Sequence, residues 1–402
     1  MCISASAYRA CCTWTSGHCI ACIINECVAT CKSLLIIRYR DEYRSSYSLT
    51  GWQVTVFLGS DIFRGSGYGS GHPLNIPRIW PVIDICRAQG WLPDKDFEAV
   101  PPATAEELEC FHTRAYIDAL LDAEKNQALD EIRSKRHKIG THSNPIYPEI
   151  YRRPATAAKA SLTAAHYLIS GIHTSVFNPS GGTHHGFPDA ANGFCFVNDP
   201  AIALTTLYKN TSKKIAYIDI DAHHPDGVQD HFSHLKRMIL FSIHEEDRWP
   251  RTGRKGDIGG GNAHNYPLPR GANDADLNET LTHNILPRLM DYAPDFIVLQ
   301  AGADGLEEDP QSGLCYSNHG YWSAVSAFLD LKIPILVLGG GGYNPFTTAR
   351  AWAGVWGLMI GQNPHTTECV PASRSVLESL HFPHRLGKNI PERWVSRLYD
   401  RQ

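Results

Sequence analysis

The sequence predicts a single α/β domain, with a mostly parallel central sheet flanked by helices. Three observations carry this expectation. Short apolar runs alternate with helix-like stretches through the second half of the chain. Composition is that of a globular protein, 43% hydrophobic and 19% charged, so there are apolar residues enough to cover a sheet on both faces. Clusters of Asp, His and Gly fall just past the apolar runs, where sheets of this class place their ligand sites.

The elements follow in chain order. Seven of the twelve cysteines (Cys2, Cys11, Cys12, Cys19, Cys22, Cys27 and Cys31) crowd the first 31 residues, which lack hydrophobic periodicity. Residues 1–50 are therefore expected to be a poorly ordered extension outside the fold. Cys19 and Cys22 have no second pair at zinc-site spacing and no βαβ surroundings. Glu26 and Lys32 break the apolar run and the start is not basic, so a secretory signal is not expected. The other five cysteines are scattered, as in a reduced cytoplasmic protein. Residues 51–385 are read as the domain and 386–402 as a C-terminal tail.

Within the domain, residues 54–58 read as a first strand, followed by a Gly/Ser-rich loop over 65–71. Helical patterns follow over 77–89, 103–122 and 156–170, and the charged stretch 125–138 suits a solvated helix or loop. Further strands are expected over 175–177, 215–220, 238–243, 296–300 and 335–338, with helices over 200–208, 276–292 and 319–329. The formal charge of −4 supplies no basic field for nucleic acid, and no run of 18 uncharged apolar residues suggests a membrane span.

Four polar tracts carry chemistry. In Tyr217-Ile218-Asp219-Ile220-Asp221-Ala222-His223-His224-Pro225-Asp226-Gly227 a buried strand runs into carboxylates and imidazoles. Asp219, Asp221 and His223 share one side if the strand persists that far. Carboxylate oxygen and imidazole nitrogen are the ligands of an open zinc site. The plainer alternative is a polar surface turn, but like charges at a strand end require a cation. In Gly181-Gly182-Thr183-His184-His185-Gly186, adjacent histidines can supply a base and a second proton-transfer group, each oriented by a carboxylate such as Asp219 or Asp226. Gln300-Ala301-Gly302-Ala303-Asp304-Gly305 ends a strand in an acid that could serve as a cap or as a third ligand. Leu338-Gly339-Gly340-Gly341-Gly342-Tyr343 lacks nucleotide-binding spacing, and either packs Tyr343 in the core or aims it into the cleft as an oxyanion donor.

In this order the tracts resemble the histone deacetylase family and its bacterial acetoin-utilisation and acetylpolyamine-amidohydrolase relatives. The resemblance runs from about Val54 to Ile360 and includes Gly193-Phe194-Cys195 with Asn198-Asp199. It implies an arginase-like α/β fold and zinc-dependent hydrolysis of an acyl-amine bond. By that resemblance Asp221, His223 and Asp304 hold one catalytic Zn2+. His184 and His185 are the tandem histidines, oriented by Asp219 and Asp226, and Tyr343 polarises the scissile carbonyl. A structural K+ would be held by Asp219, Ser242 and the backbone of Asp221, His223 and Ile243. Gly193 and Phe194 resemble one wall of an acyl-lysine tunnel, Trp249 falls near the other, Gln311 near its floor, and Arg78 behind the site.

Three departures bear on substrate. Pro225 replaces a usual glycine without removing a ligand. Gln311 stands where an apolar residue usually lines the tunnel. The loop 140–145 lacks the rim aspartate that grips a peptide backbone, leaving Ser143 or Asn144 as substitutes. The expected partner is thus an acylated lysine or a small acylated amine. The alternatives are an acetylpolyamine hydrolase served by Glu149, Glu245, Glu246 and Asp247, a catalytically silent scaffold, and an arginase-type enzyme with two manganese ions.

Overall fold

The protein is described from a computed structural model covering residues 54–69 and 71–400. The expected extension over residues 1–50 lies outside the described residues.

Eight strands form one sheet: β1 (Thr55–Gly59), β2 (Phe97–Ala99), β3 (Ser175–Asn178), β4 (Ile215–Asp219), β5 (Met238–Glu245), β6 (Ala263–Leu268), β7 (Phe296–Gln300) and β8 (Ile335–Leu338). Their order is β2-β1-β3-β8-β7-β4-β5-β6, and every pair is parallel. The central strands β3, β4, β7 and β8 are buried along their whole length, as a sheet covered on both faces requires.

Side chains alternate between two cores. Phe57, Phe177, Ile218, Leu299 and Val337 enter one; Leu58, Val176, Tyr217, Val298 and Leu336 enter the other. Helices close both faces: α1 (Ile79–Ala88), α2 (Arg114–Asn126), α3 (Arg152–Ser170), α4 (Asp199–Asn210), α5 (Asp226–Phe232), α6 (Asn318–Leu329) and α7 (Pro345–Met359). The first core takes α1, α6 and α7, and the second takes α2, α4 and most of α3. Trp322, Trp352 and Trp356 are fully buried, and each indole N–H finds a backbone carbonyl, on Ala351, Ala301 and Trp91. Their burial therefore leaves no stranded donor.

Several boundaries differ from the sequence expectation. The helix expected over 103–122 divides into Ala105–Leu108 and α2. That expected over 276–292 contains a π turn at Leu281–Ile285, just before Pro287. Residues beyond 385 are packed: Trp394, Val395, Leu398 and Tyr399 join the first core, and fully buried Arg350 bonds the carbonyls of Arg397, Leu398 and Tyr399 and the carboxylate of Asp400.

Register positions the site. Asn178 pairs with Leu338, Leu338 with Gln300, and Gln300 with Asp219. Four adjacent strands thus end on one line, and the loops leaving them hold all four polar tracts. Sheets of this kind bind ligands at such carboxyl ends.

Candidate active site

The strand β4 ends at Asp219, so Asp221 and His223 are not aligned by strand pleating as expected. Backbone amides folded onto carboxylates align them instead. The Asp221 N–H donates to Asp219 Oδ1 at 3.0 Å, and the His223 N–H to Asp221 Oδ1 at 2.9 Å. The Gly341 N–H donates to Asp221 Oδ2 at 2.7 Å, and the Ala222 N–H to Asp304 Oδ1 at 2.8 Å. The loops after β4, β7 and β8 are thereby tied around two fully buried acids.

His223 Nδ1 lies 2.8 Å from Asp304 Oδ2 and 3.2 Å from Asp221 Oδ1. Ligand atoms of these three buried residues all fall within 4.8 Å of one another. Burial lowers the His223 pKa, yet bonds and charge from Asp221 and Asp304 outweigh it and raise it to about 10. The set thus demands positive charge at its centre, and its two carboxylates and one imidazole are the donor set of a single divalent ion. It is the one such trio among the described residues.

The tandem histidines enter from the loop after β3. His184 Nδ1 is 2.7 Å from Asp219 Oδ2, and His185 Nδ1 is 2.6 Å from Asp226 Oδ1. Their Nε2 atoms face each other at 3.0 Å. Burial lowers the His184 pKa, but Asp219 and Asp221 overcome it and raise it to about 9. Burial and the charge of His184 push His185 down to about 4. Of the two, His184 is thus the more basic and His185 the more readily neutral. The pair shares one mobile proton.

Two residues without a role in the sequence reading hold this loop. Asp199 accepts from the amides of Gly182 and Thr183 at 2.9 Å and from the Ser161 hydroxyl at 2.6 Å. Asn198 donates to the carbonyls of His184 and Gly186 while its side-chain oxygen caps α4. An Asn-Asp pair at a helix start was the available signal. At the crossing of the loops a Cβ on Gly182 would lie 2.6 Å from the Gly340 backbone, so only glycine permits that approach.

Tyr343 is 8% exposed, and its hydroxyl has no hydrogen-bond partner among the described residues. Burial and the charges of Asp304 and Asp221 hold its pKa well above the ordinary value, so it remains a protonated donor. Its N–H donates to Asp309 at 2.6 Å, and Arg78 bonds the Gly342 carbonyl at 3.2 Å. Asp309 is a positioning acid that the sequence reading did not single out.

Phe194, at φ 69, sets its ring edge-on to Tyr343 at 6.1 Å. Trp249, 43% exposed, lies edge-on to His185 at 4.6 Å and 6.4 Å from His223, and its ring fills the space a Gly193 side chain would take. Gln311 and Trp249 line a cavity of about 420 Å3 that reaches His223. Asn144 is 3% exposed and so faces no solvent at the rim, while the carbonyl of exposed Ser143 bonds His72. Ser242 hydrogen-bonds His244, and the carbonyls of Asp221 and His223 receive no hydrogen bond from the described residues. No described helix is long and apolar enough to cross a membrane.

Comparison with known proteins agrees with this geometry. Residues 72–359 match the histone deacetylase domain. The chain is 31% identical to the acetoin utilization protein AcuC of Bacillus subtilis, over 77% of this chain and 83% of that one. It is 33% identical to histone deacetylase 2 of rice (Oryza sativa subsp. japonica), over 73% of this chain but only 59% of the relative, so it spans about three fifths of that protein. The crystal structure of an HDAC homolog from Aquifex aeolicus superposes with a TM-score of 0.79 at 30% identity, covering 86% of this chain and 94% of that one. An HDAC homolog complexed with SAHA gives 0.81 at 31% identity, with the same coverage.

Proposed function

From the premise that the chain belongs to the histone deacetylase family, we propose that it hydrolyses the amide bond of an acylated amine, with one zinc ion held by Asp221, His223 and Asp304. The observation that carries this reading is the convergence of that buried trio, the carboxylate-oriented histidines and the unpartnered Tyr343 hydroxyl at one line of strand ends. When bound, the metal supplies Lewis acidity, polarising the amide carbonyl and acidifying water.

The protein groups do the rest. His185, neutral and oriented by Asp226, takes the proton of the attacking water. Tyr343 donates to the oxygen that gains charge as the tetrahedral centre forms. The imidazole pair then returns a proton to the leaving nitrogen, so the C–N bond breaks with a neutral amine departing. Phe194 and Trp249 flank the approach and exclude water from the reacting atoms.

The carbonyls of Asp221 and His223, with Asp219, Ser242 and Ile243, form the proposed potassium site. The substrate is an acyl-lysine or a small acylated amine, acted on in the cytoplasm. Purified chain loaded with zinc should hydrolyse members of a matched panel of acyl-lysine peptides and acylated small amines, and a hydroxamate chelator should abolish that turnover. No hydrolysis across the panel, with one zinc bound per chain, would refute the enzymatic reading and favour a silent binding protein.

A further inference from the structure

The cavity above the reaction centre carries charges of both signs, and they do not all cancel. Glu245, only 4% exposed, takes Arg248 Nε and Nη2 at 2.7 and 2.8 Å and the Gly313 amide at 2.7 Å. That group is closed on itself. Arg251 and Arg270 line the same cavity and are exposed. Although the charge of Arg270 reaches Glu245 across the Gly313 turn, neither forms an ion pair or side-chain hydrogen bond among the described residues. The same holds for Glu246 and Asp247.

Packing and backbone geometry set where some of these side chains start. Arg270 lies along the turn at Gly313, where an added Cβ would meet its Cγ at 2.8 Å and its Cζ at 3.1 Å. Asp247 and Arg251 adopt φ of 56° and 67°, a left-handed backbone that residues with side chains rarely take unless their surroundings impose it. The opening thus presents two guanidiniums and two carboxylates outside any ion pair among the described residues, and it reaches His223.

A polyamine could meet the carboxylates but would leave both guanidiniums without a partner. A lysine within a peptide has neither terminal charge. The loop 140–145 contains no carboxylate, and buried Asn144 cannot hold a peptide backbone. Resting on the amidohydrolase reading above, we propose that the amine half of the substrate is a zwitterionic amino acid, an ω-N-acylated diamino acid of the Nε-acetyl-lysine type. Its α-carboxylate is received by Arg251 and Arg270, and its α-ammonium by Glu246 and Asp247. Planar guanidiniums match a carboxylate in geometry and charge.

Three substrates test this with the zinc-loaded full chain: free Nε-acetyl-lysine, N-acetylcadaverine, which is the same molecule without the carboxylate, and Nε-acetyl-lysine blocked at both α groups. The free amino acid should have the highest kcat/KM, by about tenfold or more. In Arg251→Gln and in Arg270→Gln the ratio of kcat/KM for Nε-acetyl-lysine over N-acetylcadaverine should fall about tenfold, and the lysine variants should recover part of it. Equal or better turnover of the blocked or decarboxylated compound would overturn the proposal. So would an unchanged ratio in both glutamine variants with unaltered melting. Hydrolysis of none of the three, nor of any acyl-lysine peptide, would sink the amidohydrolase reading itself, an outcome distinct from a wrong preference among hydrolysed amides.

Discussion

Tyr343→Phe and Asp304→Asn separate oxyanion donation from metal binding, and the structure sets the expected size of each effect. The Tyr343 hydroxyl has no partner among the described residues, while its ring is buried and its backbone is fixed by Asp309. Deleting the hydroxyl breaks no internal bond, so stability should change by less than about 0.5 kcal/mol. The loss falls on the transition state. An oxyanion donor is worth roughly 2.7–4 kcal/mol, so kcat and kcat/KM should fall together by about 10²–10³. Asp304 differs, since its carboxylate accepts the Ala222 amide and faces His223 at 2.8 Å. Replacing it by an amide removes charge from the proposed ligand set, and zinc affinity should fall by at least about tenfold. Steady-state kinetics on an acetylated amide, zinc per chain by mass spectrometry and thermal melts would be read on both variants. Turnover of Tyr343→Phe within threefold of the parent, or equal zinc loss in both variants, would refute these roles.

Three further outcomes are expected. Gly193→Ala puts a Cβ 2.1 Å from the Trp249 ring at a φ of 51°, so melting should show a loss of about 1–2 kcal/mol and KM should rise; unchanged KM would remove Trp249 from the tunnel wall. Asp226 raises the His185 pKa, so Asp226→Asn should lower kcat and shift the acid limb of the kcat/KM profile to lower pH; a shift upward would contradict His185 as the base. Arg350→Met removes the guanidinium from Asp400 and from three carbonyls, so denaturant unfolding should show a loss of about 3 kcal/mol; an unchanged midpoint would mean that residues 397–400 add nothing to the domain's stability.

What the sequence made legible follows from how buried strands end. A short apolar run that gives way abruptly to polar residues or to a string of glycines is conspicuous, so β3, β4, β7 and β8 and the tracts after them could be placed without coordinates. The edge strands could not. β2 has three residues, none buried, and β6 is only partly buried and contains Pro267, which only an edge tolerates. The helix α7 was missed for the opposite reason: all but one of its residues are buried, so it shows no polar face and no period. Trp249 could be assigned to the wall only loosely from sequence, because its place depends on a loop whose charged ends Glu245 and Arg248 bond each other and Gly313. The supporting role of Asn198, Asp199 and Asp309 was hidden because their partners are chiefly backbone amides and carbonyls, which leave no mark in a sequence.

Those amides explain why the four loops must be rich in glycine. Asp199 binds the 182–183 backbone, Asp221 the amides of His223 and Gly341, Asp304 that of Ala222, and Asp309 that of Tyr343. Each buried carboxylate thus serves a neighbouring loop as an acceptor, and its own desolvation is offset by those N–H groups. For an amide to reach an acid on an adjacent strand end, the two backbones must touch. At Gly341 a Cβ would sit 2.0 Å from Asp304 Oδ2, and at Gly302 it would sit 2.2 Å from Asp221 Oδ2. Side chains there would push apart Asp221 and Asp304, the acids that would hold the proposed metal. The glycines and the acids are one device: the first permit the approach, and the second hold the loops together around the proposed metal site.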